Sequence, residues 1–203
     1  MKNILAVIPA RGGSKGIPRK NIVKINDRPL IDYTIQAALQ VSRINDVVVS
    51  TEDKEISTIS KELGAQVPFI RSDHLATNQM QSAPVIIDTL NQMERLKSIK
   101  YDAVLMLQPT SPLRTSKHID EALDLFFSQE CDSVVSVVSV GGTHPFRMKR
   151  LVGNQLVNYI DQGFWDMRPR QALPPAYIRN GSIYLIKRDV LIKEEQLLGK
   201  KCL

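Results

Sequence analysis

Cysteine is scarce: the 203 residues hold two, Cys131 and Cys202, far apart and outside any CxxC or Cys/His spacing. That pattern excludes a disulfide framework and a thiolate zinc site, and predicts two reduced thiols. Aromatic residues make up 5% of the chain, with none among the first cluster of basic residues, so a base-stacking nucleic-acid surface is not expected. Long apolar runs are missing too. The longest, residues 4–10 and 103–107, are strand-sized, whereas a membrane helix needs roughly 20 residues. Neither a membrane span nor a membrane partner is expected. The first apolar run is too short for a secretory signal and has no small-residue cleavage site after it, which makes a cytoplasmic protein the expectation.

What is present suits one sizeable core. Hydrophobic residues are 43% and charged residues 24% of the chain, an ordinary balance for a folded domain of this length. The 27 basic residues exceed the 21 acidic ones by six, which favours anionic partners without choosing among them. The basic residues gather at 11–24, 147–150 and 168–170.

Apolar strands alternate with amphipathic helices. Ile4, Leu5, Ala6, Val7 and Ile8 form a continuous run, the mark of a strand buried on both faces. Pro29 opens a helix with Ile31, Ile35, Ala38 and Leu39 on one face, and Val47, Val48 and Val49 make a second strand. Thr51 is a candidate cap for a helix buried through Ile56, Ile59 and Leu63 and closed by Gly64. A third strand is expected over residues 67–70. Ser82 then caps a helix with Ile86, Leu90, Met93 and Leu96 inward, followed by the strand 103–107. Ser116 caps a helix carrying Ile119, Leu123 and Phe126, and the strand 134–138 comes next. This order predicts a doubly wound α/β fold with a mostly parallel sheet. From Arg147 onward the pattern changes. Two short apolar segments flank Gly153 and Asn154 as a hairpin, a proline-rich stretch follows, and a strand returns at 183–186 after Asn180 and Gly181. One domain spanning 1–203, with an insertion or arm at 141–176, fits this organisation.

Residues 9–21, PARGGSKGIPRKN, leave the first strand at its C-terminal end, where open α/β sheets bind ligands. Gly12, Gly13 and Gly16 allow backbone amides close to anionic oxygens, and Arg11, Lys15, Arg19 and Lys20 add four positive charges. The spacing GGxxG is neither the Walker loop nor the dinucleotide fingerprint GxGxxG, so P-loop hydrolysis and hydride transfer lose ground. A solvated basic loop is the alternative reading of the same residues.

This loop resembles the start of the acylneuraminate cytidylyltransferases, the CMP-sialic acid synthetases. The run QPTSPLR at 108–114, the triplet PRQ at 169–171 and the run NGSIY at 180–184 are similar to later segments of that family, in the same order. The resemblance implies a Rossmann-like nucleotidyltransferase fold. It also implies transfer of CMP from CTP to a sialic-acid-like nonulosonic acid, a nine-carbon 2-keto sugar acid, with release of pyrophosphate; a related sugar nucleotidyltransferase using another sugar acid or base, and a nucleotide-binding protein without full activity, are the alternative readings. Mg²⁺ would be the cofactor, a homodimer built through the arm the assembly, and surface-glycan synthesis the use.

By the same resemblance Arg11 and Lys20 are the catalytic candidates. Gly12, Gly13, Ser14, Lys15 and Asn21 join them in nucleotide binding. Arg71 and Ser82 fall where such proteins read the cytosine edge, although Ser82 serves equally well as a helix cap. Gln108, Thr110 and Ser111 match acceptor-sugar positions, as do Arg147, Arg170, Asn180 and Tyr184, and the arginines suit a carboxylate. Tyr184 also reads as a core residue of a strand. Two departures from the family pattern stand out. Asn78, Gln79 and Met80 replace an Asp-Thr-Ala-like segment, and no DxD occurs in the chain, because the C-terminal segment that carries the family's metal-binding aspartate pair is expected to be absent. Metal ligands are therefore unassigned. Glu52, Asp53, Asp161 and Asp166 read as caps, ion pairs or surface charges.

Overall fold

The computed structural model describes residues 2–14, 16–77, 79–161 and 163–203. The chain folds into two compact units, one of residues 1–136 with 181–203 and one of residues 137–180.

The first unit begins with β1, Ile4–Pro9. A two-stranded ribbon, β2 Lys24–Ile25 and β3 Arg28–Pro29, leads into α1, Leu30–Leu39. Then come β4 Asp46–Ser50, α2 Lys54–Glu62, α3 Ser82–Lys97, β5 Ala103–Met106, α4 Ser116–Ser128 and β6 Ser133–Ser139. The second unit contains β7 Lys149–Val152 and β8 Gln155–Asn158, and the chain closes with β9 Tyr177–Lys187 and α5 Arg188–Glu194.

The main sheet has the order β4-β1-β5-β9-β6. β1 runs parallel to both β4 and β5, and β9 is antiparallel to β5, with Met106 opposite Tyr184. The α/β class and the mostly parallel sheet follow from this, with β9 as the reversed strand. β1 is apolar throughout because both of its faces are covered. Ile4, Ala6 and Ile8 pack with Val47, Val49, Leu105, Ile31, Ile35 and Leu123 on one side. Leu5 and Val7 pack with Val48, Val104, Met106, Ile86 and Leu90 on the other. Leu105 is fully buried, and its replacement by Ala would cost about 2 to 5 kcal/mol.

Helix starts differ from the sequence expectation in one consistent way. The cap of α2 is Asp53, whose side chain accepts from the Ile56 amide, while the buried Thr51 hydroxyl instead accepts from the Asp53 amide. The cap of α4 is Thr115, joined in a capping box with His118. Ser82 is the first residue inside α3 and makes no capping bond, since Gln81 holds the cap position. Each true start lies within two residues of the hydroxyl that the sequence suggests, because neighbouring polar residues compete for the same orphan amides.

Two apolar residues expected inside are outside: Leu39 and Leu96 are 43% and 61% exposed. Lys97 follows Met93 by four residues and, though exposed itself, sends its ammonium to the buried Asp46 carboxylate at 2.7 Å. The strand expected at 67–70 reduces to one parallel bridge between Val48 and Gln66. The final strand is longer than expected and runs through Asn180 and Gly181, with Gly181 at φ +76°.

In the second unit β7 and β8 form the expected hairpin. Val152 stands opposite Gln155, and Gly153 at φ +58° supplies the left-handed turn residue. His144 is buried, takes the Phe146 amide on Nδ1 and contacts the Pro174 carbonyl through Nε2 at 3.0 Å. With Nδ1 accepting, Nε2 carries the proton and donates. Large apolar side chains, among them Leu151, Met167 and Tyr177, remain exposed in this unit. No helix among the described residues is long and apolar enough to cross a membrane.

Candidate active site

The site is built where the first sheet strands end. β1 stops at Pro9, and Ala10 is pinned to β4 by its amide, which donates to the Ser50 carbonyl at 3.0 Å. The chain must then turn away from the sheet, and the glycine loop begins. Gly12 donates its amide to Glu52 Oε1 at 2.7 Å, and a Cβ on Gly12 would collide with the Asp53 carboxylate. Glycine is needed at position 12 because the start of α2 presses against the loop there.

The loop's cations divide into two groups. Arg19 adopts φ 54° and pairs with Asp53 and Glu55. Its guanidinium pKa is raised first by the Asp53 hydrogen bond, and the Asp53 carboxyl is lowered first by Arg19. Arg19 is thus a structural anchor whose charge is already compensated. Arg11 and Lys20, by contrast, enter no ion pair among the described residues. Arg11 is placed by its own hydrogen bonds, donating to the Thr77 carbonyl at 3.2 Å and accepting Asn21 Nδ2 on its carbonyl at 2.9 Å. Two uncompensated cations on a glycine-rich loop at a sheet edge make a site for a polyanion.

A cavity of about 280 Å³ opens at this edge of the sheet. Arg11, Ser14, Lys20 and Asn21 line it from the loop, Arg71 from the stretch after α2, Ser82 from the first turn of α3, and Gln108 and Thr110 from the turn after β5. Candidates from four separate segments therefore meet on one concavity. Arg71 is buried and pairs with Glu52 at 2.6 Å, with side-chain exposures of 3% and 16%. Ser82, released from capping, faces the cavity.

Other candidates stand elsewhere. Gly12 is held in the loop and, like Gly13, does not line the cavity, and Ser111 uses its carbonyl to accept the Arg114 amide at 3.1 Å. Tyr184 is half-buried on β9 against the core cluster that includes Met106. Arg147 and Arg170 belong to the 137–180 unit. Arg147 donates to the Arg168 carbonyl at 2.7 Å, and the Arg170 guanidinium lies against Gly141. Asn180 is exposed at the end of that unit. Lys15 and Asn78 lie outside the described residues.

Leu75, Thr77, Met80, Gln81 and Val85 also line the cavity, beyond the candidates that the sequence suggests. Val85 is within reach of sequence reasoning, since it sits three residues after Ser82 on the same helix face. Thr77 takes part through its backbone carbonyl, for which side-chain chemistry gives no signal.

A family model described as cytidylyltransferase matches residues 5–192. The chain belongs to the cytidylyltransferase family. Among its relatives is a post-translational flagellin modification protein B from Campylobacter coli. It is 34% identical over 200 residues, which cover 98% of this chain and 84% of that protein. A CMP-N,N'-diacetyllegionaminic acid synthase from Legionella pneumophila is 36% identical, over 97% of this chain and 83% of that protein. The structure of CMP:2-keto-3-deoxy-manno-octonic acid synthetase complexed with CTP superimposes with a TM-score of 0.71. It shares 19% identity over 98% of this chain and 80% of that one, a likeness of fold.

Cytidylyltransferases of this kind generally depend on a divalent metal. Among the described residues no three His, Cys, Asp or Glu side chains gather into a cation site. Glu52 is held by Gly12 and Arg71, and Asp53 by Arg19 and the Ile56 amide. Asp166, another acid near a family-like segment, pairs with Arg168 at 2.6 Å. The described side chains do not fit a protein-built metal cage.

Proposed function

We propose that the chain transfers CMP from CTP to a sialic-acid-like nonulosonic acid. The sugar's anomeric hydroxyl oxygen bonds the α-phosphorus, the bond from that phosphorus to the bridging oxygen breaks, pyrophosphate leaves, and the hydroxyl proton passes to water. Convergence of Arg11, Ser14, Lys20, Asn21, Arg71, Ser82, Gln108 and Thr110 on one cavity carries this reading. Negative charge grows on the leaving pyrophosphate, and Arg11 and Lys20 are the cations free to meet it. Arg71 and Ser82 offer a donor and a hydroxyl to the cytosine edge, and Gln108 and Thr110 offer amide and hydroxyl groups to the acceptor.

The acceptor class rests on the Legionella relative, whose name specifies a diacetyllegionaminic acid product. The flagellin-modification name of the Campylobacter coli relative supports use of the CMP-sugar in a surface glycan. Mg²⁺ enters this reading as the magnesium complex of CTP, since Mg²⁺ leans on substrate phosphates and keeps several waters. Arg147, Arg170, Asn180 and Tyr184 are proposed to complete acceptor binding in a homodimer, supported by the apolar side chains exposed in the 137–180 unit. A cytoplasmic location fits an enzyme that draws on the CTP pool.

The test is pyrophosphate release from CTP and Mg²⁺ with a panel of neuraminate-, legionaminate- and pseudaminate-type acceptors. Release with one acceptor identifies it. No release with any, alongside a thermal shift produced by GTP, UTP or ATP and not by CTP, would remove the cytidylyl assignment for this site.

A further inference from the structure

Glu52 lies between the glycine loop and the arginine proposed to meet the base, and it touches both. Its Oε1 accepts the Gly12 amide at 2.7 Å and its Oε2 accepts an Arg71 guanidinium nitrogen at 2.6 Å. The Arg71 backbone is fixed to the same place, its amide donating to the Thr51 carbonyl at 2.9 Å. Arg71 lines the cavity while its Nε is buried without a protein partner. Glu52 does not line the cavity, so it acts on a ligand only through its two partners.

A buried guanidinium and its partly buried carboxylate give up hydration that an apolar pair of similar volume would never lose. The geometry supplies a reason for keeping them. One carboxylate is bonded to the first amide of the phosphate loop and to the base-facing arginine, 59 residues apart in sequence, so displacement of either partner is felt by the other.

Building on the proposed function, we infer that Glu52 is a positioning residue that couples the triphosphate and base ends of the nucleotide site. Ordering of the glycine loop by phosphates orders Arg71, and loss of the carboxylate separates the two events. In Glu52→Gln the amide oxygen can satisfy one donor, and its NH₂ is left facing the other, so one of the two links is broken.

The test uses the full chain and tripolyphosphate, a probe with no base and no sugar, read by hydrogen exchange. In the wild type, millimolar tripolyphosphate is expected to slow exchange around residues 11–21 and also around residues 70–72. In Glu52→Gln protection of the loop persists while protection at 70–72 is lost. With CTP, the same variant should raise KM about tenfold with a smaller change in kcat, whereas a merely structural role would lower Tm and leave KM alone.

The wild-type measurement stands without the variant, should the variant not fold: loop protection without protection at 70–72 overturns the coupling. Equal protection at 70–72 in both proteins also overturns it. Protection of neither segment removes the phosphate role of the loop and the coupling together. Because the probe contains neither cytosine nor acceptor, failure of CMP transfer leaves this outcome separately readable.

Discussion

Gly181 leaves no room for a side chain beside Gln108: a Cβ at that position would lie 2.5 Å from Gln108 Oε1. Gly181 also sits at φ +76°, where an L-residue is strained by roughly 1 to 2 kcal/mol. Gln108 is the flexible partner and gives way. Gly181→Ala is therefore expected to lower stability by about 1 to 2 kcal/mol and to raise the KM for the acceptor sugar through the displaced amide. The Kd for CTP should change little. Calorimetric titration of CTP beside acceptor kinetics checks this, and a change confined to CTP binding would refute it.

Arg114 ties the turn after β5 to the same part of β9. It donates to the carbonyls of Gln108 at 3.2 Å and Ser182 at 2.7 Å and to Thr34 Oγ1 at 2.6 Å. Burial pushes its pKa down to about 10. A charge held in so buried a place opposes folding unless its bonds offset the lost hydration. Removing it takes a charged donor from three acceptors, of which the Gln108 carbonyl keeps the Thr34 hydroxyl at 3.4 Å; each charge-assisted bond is worth about 1.5 to 3 kcal/mol, so the loss outweighs the relief of the buried charge. Arg114→Met should lose about 2 kcal/mol net in urea denaturation at pH 7, and a stabilised variant would show that the buried charge dominates instead.

Much of this arrangement is legible in the sequence because it depends on local chemistry. The all-apolar β1, the turn of glycines after it and the hairpin at Gly153 each announce themselves by residue type. Glu52 is less legible. As one of several acids at a helix start it reads as a cap, an ion pair or a surface charge, and only the packing of α2 against the loop places Gly12 and Arg71 on its two oxygens. Arg19 reads as one of the ligand cations for the same reason, since its partners Asp53 and Glu55 lie more than 30 residues on. The reversed direction of β9 has no sequence signal at all, because its short buried stretch Ile183, Leu185 and Ile186 would read alike in a parallel or an antiparallel strand.

Ser82 separates a structural from a functional role. Because Gln81 and not Ser82 holds the cap position, and no side-chain capping bond is made, Ser82→Ala should change stability by less than about 0.5 kcal/mol. A true cap would have cost about 1 kcal/mol. The KM for CTP should rise severalfold, by the loss of the hydroxyl proposed to meet the base. Thermal denaturation and CTP kinetics on the same preparation decide between the two.

The division of the loop's cations gives opposite signatures. Arg11→Ala and Lys20→Ala should lower kcat by roughly 100-fold or more with little loss of acceptor affinity, because phosphate charge grows towards the transition state. Arg19→Ala, which breaks the anchor to Asp53 and Glu55, should instead lower Tm and loosen the loop. If Arg11→Ala and Lys20→Ala changed only KM, the free cations would be binding groups without a catalytic share.

Asp46 and Tyr101 set a pH dependence that is separate from the active site. Asp46 accepts from the Tyr101 hydroxyl at 2.6 Å and from Lys97 and Gln66 at 2.7 Å each. Burial raises the Asp46 pKa, but Lys97, Tyr101 and Gln66 outweigh it and the net shift is downward. The Tyr101 hydroxyl is driven up, first by burial and then by Asp46. A depressed carboxyl contributes stability above its unfolded pKa near 4, lost as pH falls through the folded value. A raised phenol contributes stability below its unfolded pKa near 10, lost as pH climbs towards the folded value. Tyr101→Phe should therefore cost about 1 to 2 kcal/mol at pH 7. The gap between wild type and variant should close by up to about 1.4 kcal/mol per pH unit above pH 10, and narrow again below pH 4. Urea denaturation of both proteins from pH 3 to pH 11.5 measures it, and a gap that stayed constant across that range would mean that the Tyr101 hydroxyl contributes no proton-linked stability.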